Sequence, residues 1–321
     1  MYTLRFDLRA PTDGTPKAEL YAAALDMCAW GEQHGAVVTV LSEHHGAADG
    51  YLPAPTVLAA AIAARTERLG IMLAALVLPL HDPVRLAEEL SILDIVSKGR
   101  VTAVLAVGHR DEEYEHFGID PRARGRIADE HLALLQELLR GEPVTWNGRH
   151  IHLTPPPYRA GGPTLMVGGA SAPAVRRAAR FGLGFIGQAA PPGLGEVYAD
   201  ACRAHGREPG PILLPDPAAP TTIFVADDVD EAWDELGPYL LYDAQAAAAW
   251  RPGAQVVASI SRAASVEELR ASPGPYRIFT PEEVRTHLAG GKSVGLHPLC
   301  AGLPPDTAWR YLRSAAAALG H

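Results

Sequence analysis

Ile71–Val107, IMLAALVLPLHDPVRLAEELSILDIVSKGRVTAVLAV, reads as strand, helix, strand. Both ends are unbroken apolar runs of strand length, the pattern of strands buried on both faces. Between them Asp82 can cap a helix, Pro83 suits its first turn and Gly99 suits its stop. Two buried strands joined by a helix imply a parallel pair. The same rhythm extends outward. Strand-like runs lie at Tyr2–Leu8, Ala36–Leu41, Leu69–Leu78, Val101–Val107, Thr164–Gly168, Gly182–Gly187, Thr221–Ala226 and Ser293–Cys300. Eight parallel strands with intervening helices make a (β/α)8 TIM barrel, read here as a single domain over 1–321.

Two excursions interrupt the rhythm, after the fourth and the seventh strands. The first, His109–Pro163, holds a helix near Ile127–Leu139 and a hairpin, VTWNGRHIHL, turning at Asn147-Gly148. The second runs from Asp227 to Lys292. Its middle, Tyr239–Pro275, is poorly patterned, and Thr280 with Glu283 forms a capping box around Pro281 near its end. Loops at the carboxyl ends of barrel strands build active sites, so both excursions are candidate lids.

Hydrophobic residues are 48% of the 321, enough for a large core, and a net charge of -9 opposes a nucleic-acid surface. Three scattered cysteines, Cys28, Cys202 and Cys300, form no disulfide framework or zinc ribbon and suit a reducing compartment. No apolar run approaches a membrane span, and the N-terminus shows no signal-peptide core. The expected setting is cytoplasmic.

Three motifs carry chemistry. Leu41-Ser42-Glu43-His44-His45-Gly46 follows the second strand, so it sets titratable groups at the barrel mouth, where a histidine can move protons. A polar loop with a satisfied histidine would read the same way. Ala74-Ala75 sits between bulkier residues mid-strand; it either leaves room for a flat ring or merely tapers the core. Val167-Gly168-Gly169-Ala170-Ser171-Ala172-Pro173 joins a strand to a helix start, where free N–H groups and the helix dipole favour a phosphate, or where an ordinary cap sits. No GxGxxG fingerprint is present, Gly290-Gly291-Lys292-Ser293 lacks the upstream glycine of a P-loop, and His150 with His152 has no third ligand at a telling distance.

In this order, these residues resemble the bacterial luciferase-like monooxygenase family. Glu43-His44-His45 looks like its Glu-His-His, and LAALVLPLHDPVRLAEELSILDIVSKGR like its third strand, loop and helix. Gly108, Glu113–Gly118, the GGAS segment with Arg177-Ala178-Ala179, and Phe279-Thr280-Pro281-Glu282-Glu283 match further segments. The likeness covers about 1–190 and 278–320.

The resemblance implies a barrel that binds reduced FMN, supplied by a separate flavin reductase, and uses O2 to oxygenate a small organic substrate. His44 is then the catalytic histidine. The implied cofactor contacts are Glu43, Ala74, Ala75, Ala106, Val107, Arg124 (or Arg126, if the register slips), Gly168, Gly169, Ala170 and Ser171, with Ala74-Ala75 forming a cis peptide beneath the ring. Some relatives carry Cys-Arg in place of Ala106-Val107, and a polar residue in place of Ala170, so flavin contacts here would be thinner and light emission is not implied. The resemblance also implies a homodimer through Thr56–Arg65 and Val84–Val96. Two other readings are hydride transfer with the deazaflavin F420 and a non-catalytic partner subunit.

Overall fold

The computed structural model describes residues 1–216, 218–251, 257 and 259–321. The order is β1 (Tyr2–Phe6), α1 (Lys17–Gln33), β2 (Ala36–Leu41), α2 (Pro55–Arg65), β3 (Gly70–Val77), α3 (Pro83–Ser97), β4 (Val101–Ala106), α4 (Asp111–His116), α5 (Arg124–Leu138), β5 (Val144–Trp146), β6 (Arg149–Ile151), β7 (Thr164–Gly169), α6 (Ala172–Phe181), β8 (Gly184–Gly187), α7 (Leu194–Ala204), β9 (Ile212–Leu213), β10 (Thr222–Val225), α8 (Val229–Ala249), α9 (Val266–Ala271), β11 (Tyr276–Phe279), α10 (Pro281–Ala289), β12 (Gly295–Leu296) and α11 (Pro305–Ala318). The chain divides into two compact units: 1–40, 47–52 and 215–321, and 41–46 with 53–214.

In the second unit the strand order is β3-β4-β7-β8-β9, every pair parallel. The deciding stretch folds as read. Asp82 accepts from the N–H groups of Val84 and Arg85, Pro83 opens α3, and Lys98 and Gly99 close it with positive φ. The apolar stripe Leu86, Leu90 and Leu93 is buried. Arg100, just past that stop, donates to the carbonyls of Ala63, Thr66, Leu69 and Ser97. It thus satisfies the open carbonyl end of α2. The hairpin turns at Asn147-Gly148, both with positive φ as a type I′ turn requires.

In the first unit the order is β11-β10-β12-β1-β2, and the pairs β1·β12, β10·β11 and β10·β12 are parallel. Three readings are corrected. The poorly patterned middle of the second excursion is regular: α8 continues through Pro238 to Ala249, and α9 follows. Pro238 reads as a helix breaker, and the run Ala246–Ala249 offers no amphipathic stripe to find. Residues 252–256 and 258 of that stretch lie outside the described residues. Tyr276–Phe279 is a strand, paired with β10 over four residues. The run Ser293–Cys300 shrinks to Gly295–Leu296, because Pro298 has no N–H for a ladder and the chain turns at Cys300–Gly302. Among the described residues, no helix is long and apolar enough to cross a membrane.

Candidate active site

The loop after β2 is held by two buried carboxylates, and each fixes a different histidine. Glu113 reaches it from α4. That helix is anchored by its next residue, Tyr114, which is fully buried against Val77 and Leu80 and donates its hydroxyl to the Val107 carbonyl. The Glu113 side chain is wholly buried, and its Oε1 accepts from His44 Nδ1 at 2.8 Å, from the His45 N–H at 3.0 Å and from Arg110 Nη1 at 3.1 Å. Burial raises the pKa of this carboxyl. The bonds from His44 and the His45 N–H, with the Arg110 charge, outweigh burial and hold it below the ordinary range. An ionised carboxylate only accepts, so His44 donates from Nδ1, and in that tautomer Nε2 is the ring's acceptor. His44 keeps 17% of its side chain exposed and meets the edge of the His109 ring at 5.6 Å.

Glu43 is the second carboxylate. Its Oε1 accepts from His45 Nε2 at 2.7 Å and His81 Nε2 at 2.8 Å; its Oε2 accepts from the Val77 N–H at 2.7 Å. Burial opposes its charge, but the bonds from His45, His81 and Val77 win, and its pKa falls to about 2. Burial would likewise lower the pKa of His81, yet the bond to Glu43 raises it. The sequence reading counted Glu43 among the cofactor contacts. Its side chain is 0% exposed with both oxygens engaged, so it presents no surface to a ligand. What it does is clamp the His44 loop to the end of β3.

The expected small residues converge. Ala74-Ala75 is a cis peptide, and the β3·β4 register shifts there. A Cβ on Gly168 would lie 2.9 Å from Val104 Cγ1, 3.5 Å from Ala106 Cβ and 3.7 Å from Ala75 Cβ. Ala75, Ala106 and Gly168 therefore form one patch across β3, β4 and β7, with the two alanines half-buried. Gly169 lets β7 run directly into α6, since a Cβ there would meet Ala174 Cβ at 2.7 Å. Ser171 is the exposed N-cap of α6, and its hydroxyl makes no capping bond. Ala170 beside it is half-buried.

The arginines sort less as expected. Arg124, at the start of α5, is half-exposed and pairs with Asp111 at 3.2 Å; Arg126 pairs with Glu130 on an exposed face. The sequence reading left out Arg177 as a site residue. It lines a small cavity with Ala106, Val107 and Gly168, held by Asp129 at 2.6 Å and the Gly125 carbonyl at 3.0 Å. Its place one helical face along from Ala174 was the available signal. His150, in the β5–β6 hairpin, bonds Thr145 and takes no part.

The profile of the family described as luciferase-like monooxygenase matches residues 4–296. The alkanal monooxygenase alpha chain of Photorhabdus luminescens is 31% identical over 160 residues, 48% of this chain and 44% of that protein. The chain thus aligns with less than half the length of such curated relatives. Among solved structures, monooxygenase RslO1 from Streptomyces bottropensis superposes with a TM-score of 0.78 at 22% identity, covering 99% of this chain and 98% of that one. The oxygenating constituent of 3,6-diketocamphane monooxygenase from Pseudomonas putida, solved with FMN, gives 0.73 at 19% identity, covering 98% and 95%. Likeness over whole chains at such identities establishes the α/β fold of the luciferase-like (β/α)8 class. With the profile spanning nearly its full length, this chain belongs to the luciferase-like monooxygenase family.

Proposed function

We propose that this chain is a flavin-dependent monooxygenase that receives reduced FMN from a separate reductase and oxygenates a small organic substrate. The observation that carries the reading is the His44–Glu113 pair, at the same strand ends as the Ala75, Ala106 and Gly168 patch. The residues fit the group: the patch has no side chain large enough to block a planar ring, and α6 offers a helix N-terminus with a spare hydroxyl for a phosphate. Ala74, Ala75, Ala106, Val107 and Gly168 would take the ring, and Gly169, Ala170, Ser171 and Arg124 the phosphate end. Bound reduced flavin supplies the electrons that activate O2. The protein's part is positional and protonic: Glu113 fixes the His44 tautomer, His44 Nε2 accepts or returns a proton, and Glu43 holds the loop. The separate reductase is supported by the 3,6-diketocamphane relative, described as an oxygenating constituent. Three buried free cysteines suit the reducing cytoplasm.

Anaerobic titration with reduced FMN and, in parallel, reduced F420 tests this. Selective micromolar binding of reduced FMN is the expected result, and Ala106→Phe weakens it at least about tenfold, ~1.4 kcal/mol, with the thermal midpoint retained. Selective F420 binding would replace the reading with hydride transfer, and binding of neither would leave a non-catalytic partner subunit.

The homodimer also stands as a proposal. Val57 on α2 and Ile92 and Val96 on α3 are 71%, 46% and 39% exposed on neighbouring helices. Light scattering is expected to show a dimer that Val57→Asp with Ile92→Asp converts to monomer; an unchanged mass would move the interface elsewhere.

A further inference from the structure

The first unit holds a second polar cluster, at the carboxyl end of β1. Arg5, Asp7 and Arg9 leave that strand and meet Asp49, Asp243 of α8, Tyr276 of β11 and His297 after β12. Nearly all of it is buried, and Arg9 is 1% exposed, with its guanidinium over the rings of Tyr51 and Trp250. Asp243, His297 and Cys300 stand close enough to suggest a metal triad. They do not suit one. Arg5 Nη2 donates to His297 Nδ1 at 2.9 Å, Tyr276 donates to Asp243, and two guanidiniums adjoin the would-be cation.

Arg5 differs from the rest of the cluster. It lies on the face of β1 opposite Leu4 and Phe6, and a quarter of its side chain is exposed. Its Nη2 is anchored by His297, by Asp243 at 3.5 Å and by Asp7 at 4.0 Å. Among the described residues, its Nη1 makes no hydrogen bond. Among the described residues, four buried atoms of this cluster, Arg5 Nε, Arg9 Nε, Asp49 Oδ1 and His297 Nε2, lack a partner in hydrogen-bond geometry, though Arg9 Nε lies 3.3 Å from Asp49 Oδ2 and His297 Nε2 lies 3.3 Å from Asp7 Oδ1. Unmet polar atoms gathered at a strand end, around a guanidinium with an idle donor on a side chain that is a quarter exposed, are a feature that ordinary packing removes. They suit a recess that receives a polar group.

We propose that Arg5 receives the carbonyl oxygen of a neutral substrate such as a ketone, quinone or amide. Charge decides among the candidates. Arg5, Arg9 and Lys17 are already balanced by Asp7, Asp49 and Asp243, with Lys17 bonded to the Leu8 and Asp49 carbonyls. A carboxylate would add an uncompensated negative charge beside Asp7 and Asp243. An amine would face a guanidinium. A neutral carbonyl needs only the Nη1–H, gains a charge-assisted bond and adds no charge to a low-dielectric site. This rests on the flavin-monooxygenase reading only in taking the chain to act on a small organic substrate, and it adds the substrate class.

The test is calorimetric binding of 1-tetralone, with tetralin lacking the carbonyl and 1-naphthoate carrying a charge, to wild type and to Arg5→Met. Tetralone is expected to bind wild type at least tenfold more tightly than Arg5→Met. Tetralin should bind both alike, and naphthoate no better than tetralin. The infrared band of 13C-carbonyl tetralone on wild-type protein is expected below its frequency in water. That readout needs no variant, and Arg5→Lys replaces Arg5→Met should the latter fail to fold. Equal tetralone binding in both proteins, with the carbonyl band at its aqueous position, would mean that Arg5 only binds water and would overturn the proposal. The same samples are titrated with reduced FMN. FMN binding with Arg5-independent tetralone binding removes this inference alone; Arg5-dependent tetralone binding without FMN binding removes the flavin reading and leaves the carbonyl site.

Discussion

His44→Ala is expected to lower turnover by about 10²–10⁴-fold while reduced FMN binds within a few-fold of wild type. The reason is the division of labour at the site. The patch of Ala75, Ala106 and Gly168 and the α6 N-terminus would carry binding, whereas His44 contributes one oriented nitrogen. Glu113→Gln is expected to lose roughly 10–100-fold, since oriented charge-assisted bonds of this kind are worth about 1.5–3 kcal/mol. A glutamine amide can still fill the space, but it can present its NH2 to His44 Nδ1 and so favour the other tautomer. Single-turnover kinetics with pre-bound reduced FMN separates the two steps. A His44→Ala protein with unimpaired turnover would end the case for a catalytic histidine. A Glu113→Gln protein with wild-type rate would reduce Glu113 to packing.

Loss of Glu43 is expected to cost stability more than any other single change at the site, about 3–5 kcal/mol for Glu43→Ala in urea unfolding. Removing it strands His45, His81 and the Val77 N–H. The pH dependence follows from the two shifts. The Glu43 pKa is depressed to about 2 in the fold, so its stabilisation is present above the unfolded carboxylate range and drains away as pH falls towards 2. The His81 pKa is raised, so its stabilisation is present below the unfolded histidine value, near 6.5, and is lost as pH rises through the folded one. The stability difference between wild type and Glu43→Gln is therefore expected to plateau at mildly acidic pH and shrink on both sides. A difference independent of pH would show that Glu43 acts by packing alone.

Some of this was open to reading along the chain. Strand length, apolar runs and helix caps act within a few residues, so IMLAALVL, Asp82-Pro83, Asn147-Gly148 and the Thr280–Glu283 box identified their elements directly, and the capping box forms with both reciprocal bonds. The Glu-His-His motif and the GGAS turn were likewise legible, because strand ends and helix starts have local signatures. Short or featureless elements were not. Tyr276–Phe279 is a strand only because β10 lies beside it, and the alanine run ending α8 has no stripe of its own.

Sequence alone determined most of the strand–helix alternation and the motifs by which the family is recognised, and it singled out His44 as the candidate histidine. Only the tertiary structure decided what each acidic residue does. Glu113 meets His44 across 69 residues, and Glu43 meets His81 across 38 and Val77 across 34. Hydrogen bonds form within about 3 Å, and no local periodicity encodes which distant donors will arrive there. The same holds for Arg5, whose hydrogen-bond partners Asp243 and His297 come from the far end of the chain, and whose idle donor becomes visible only once they are in place.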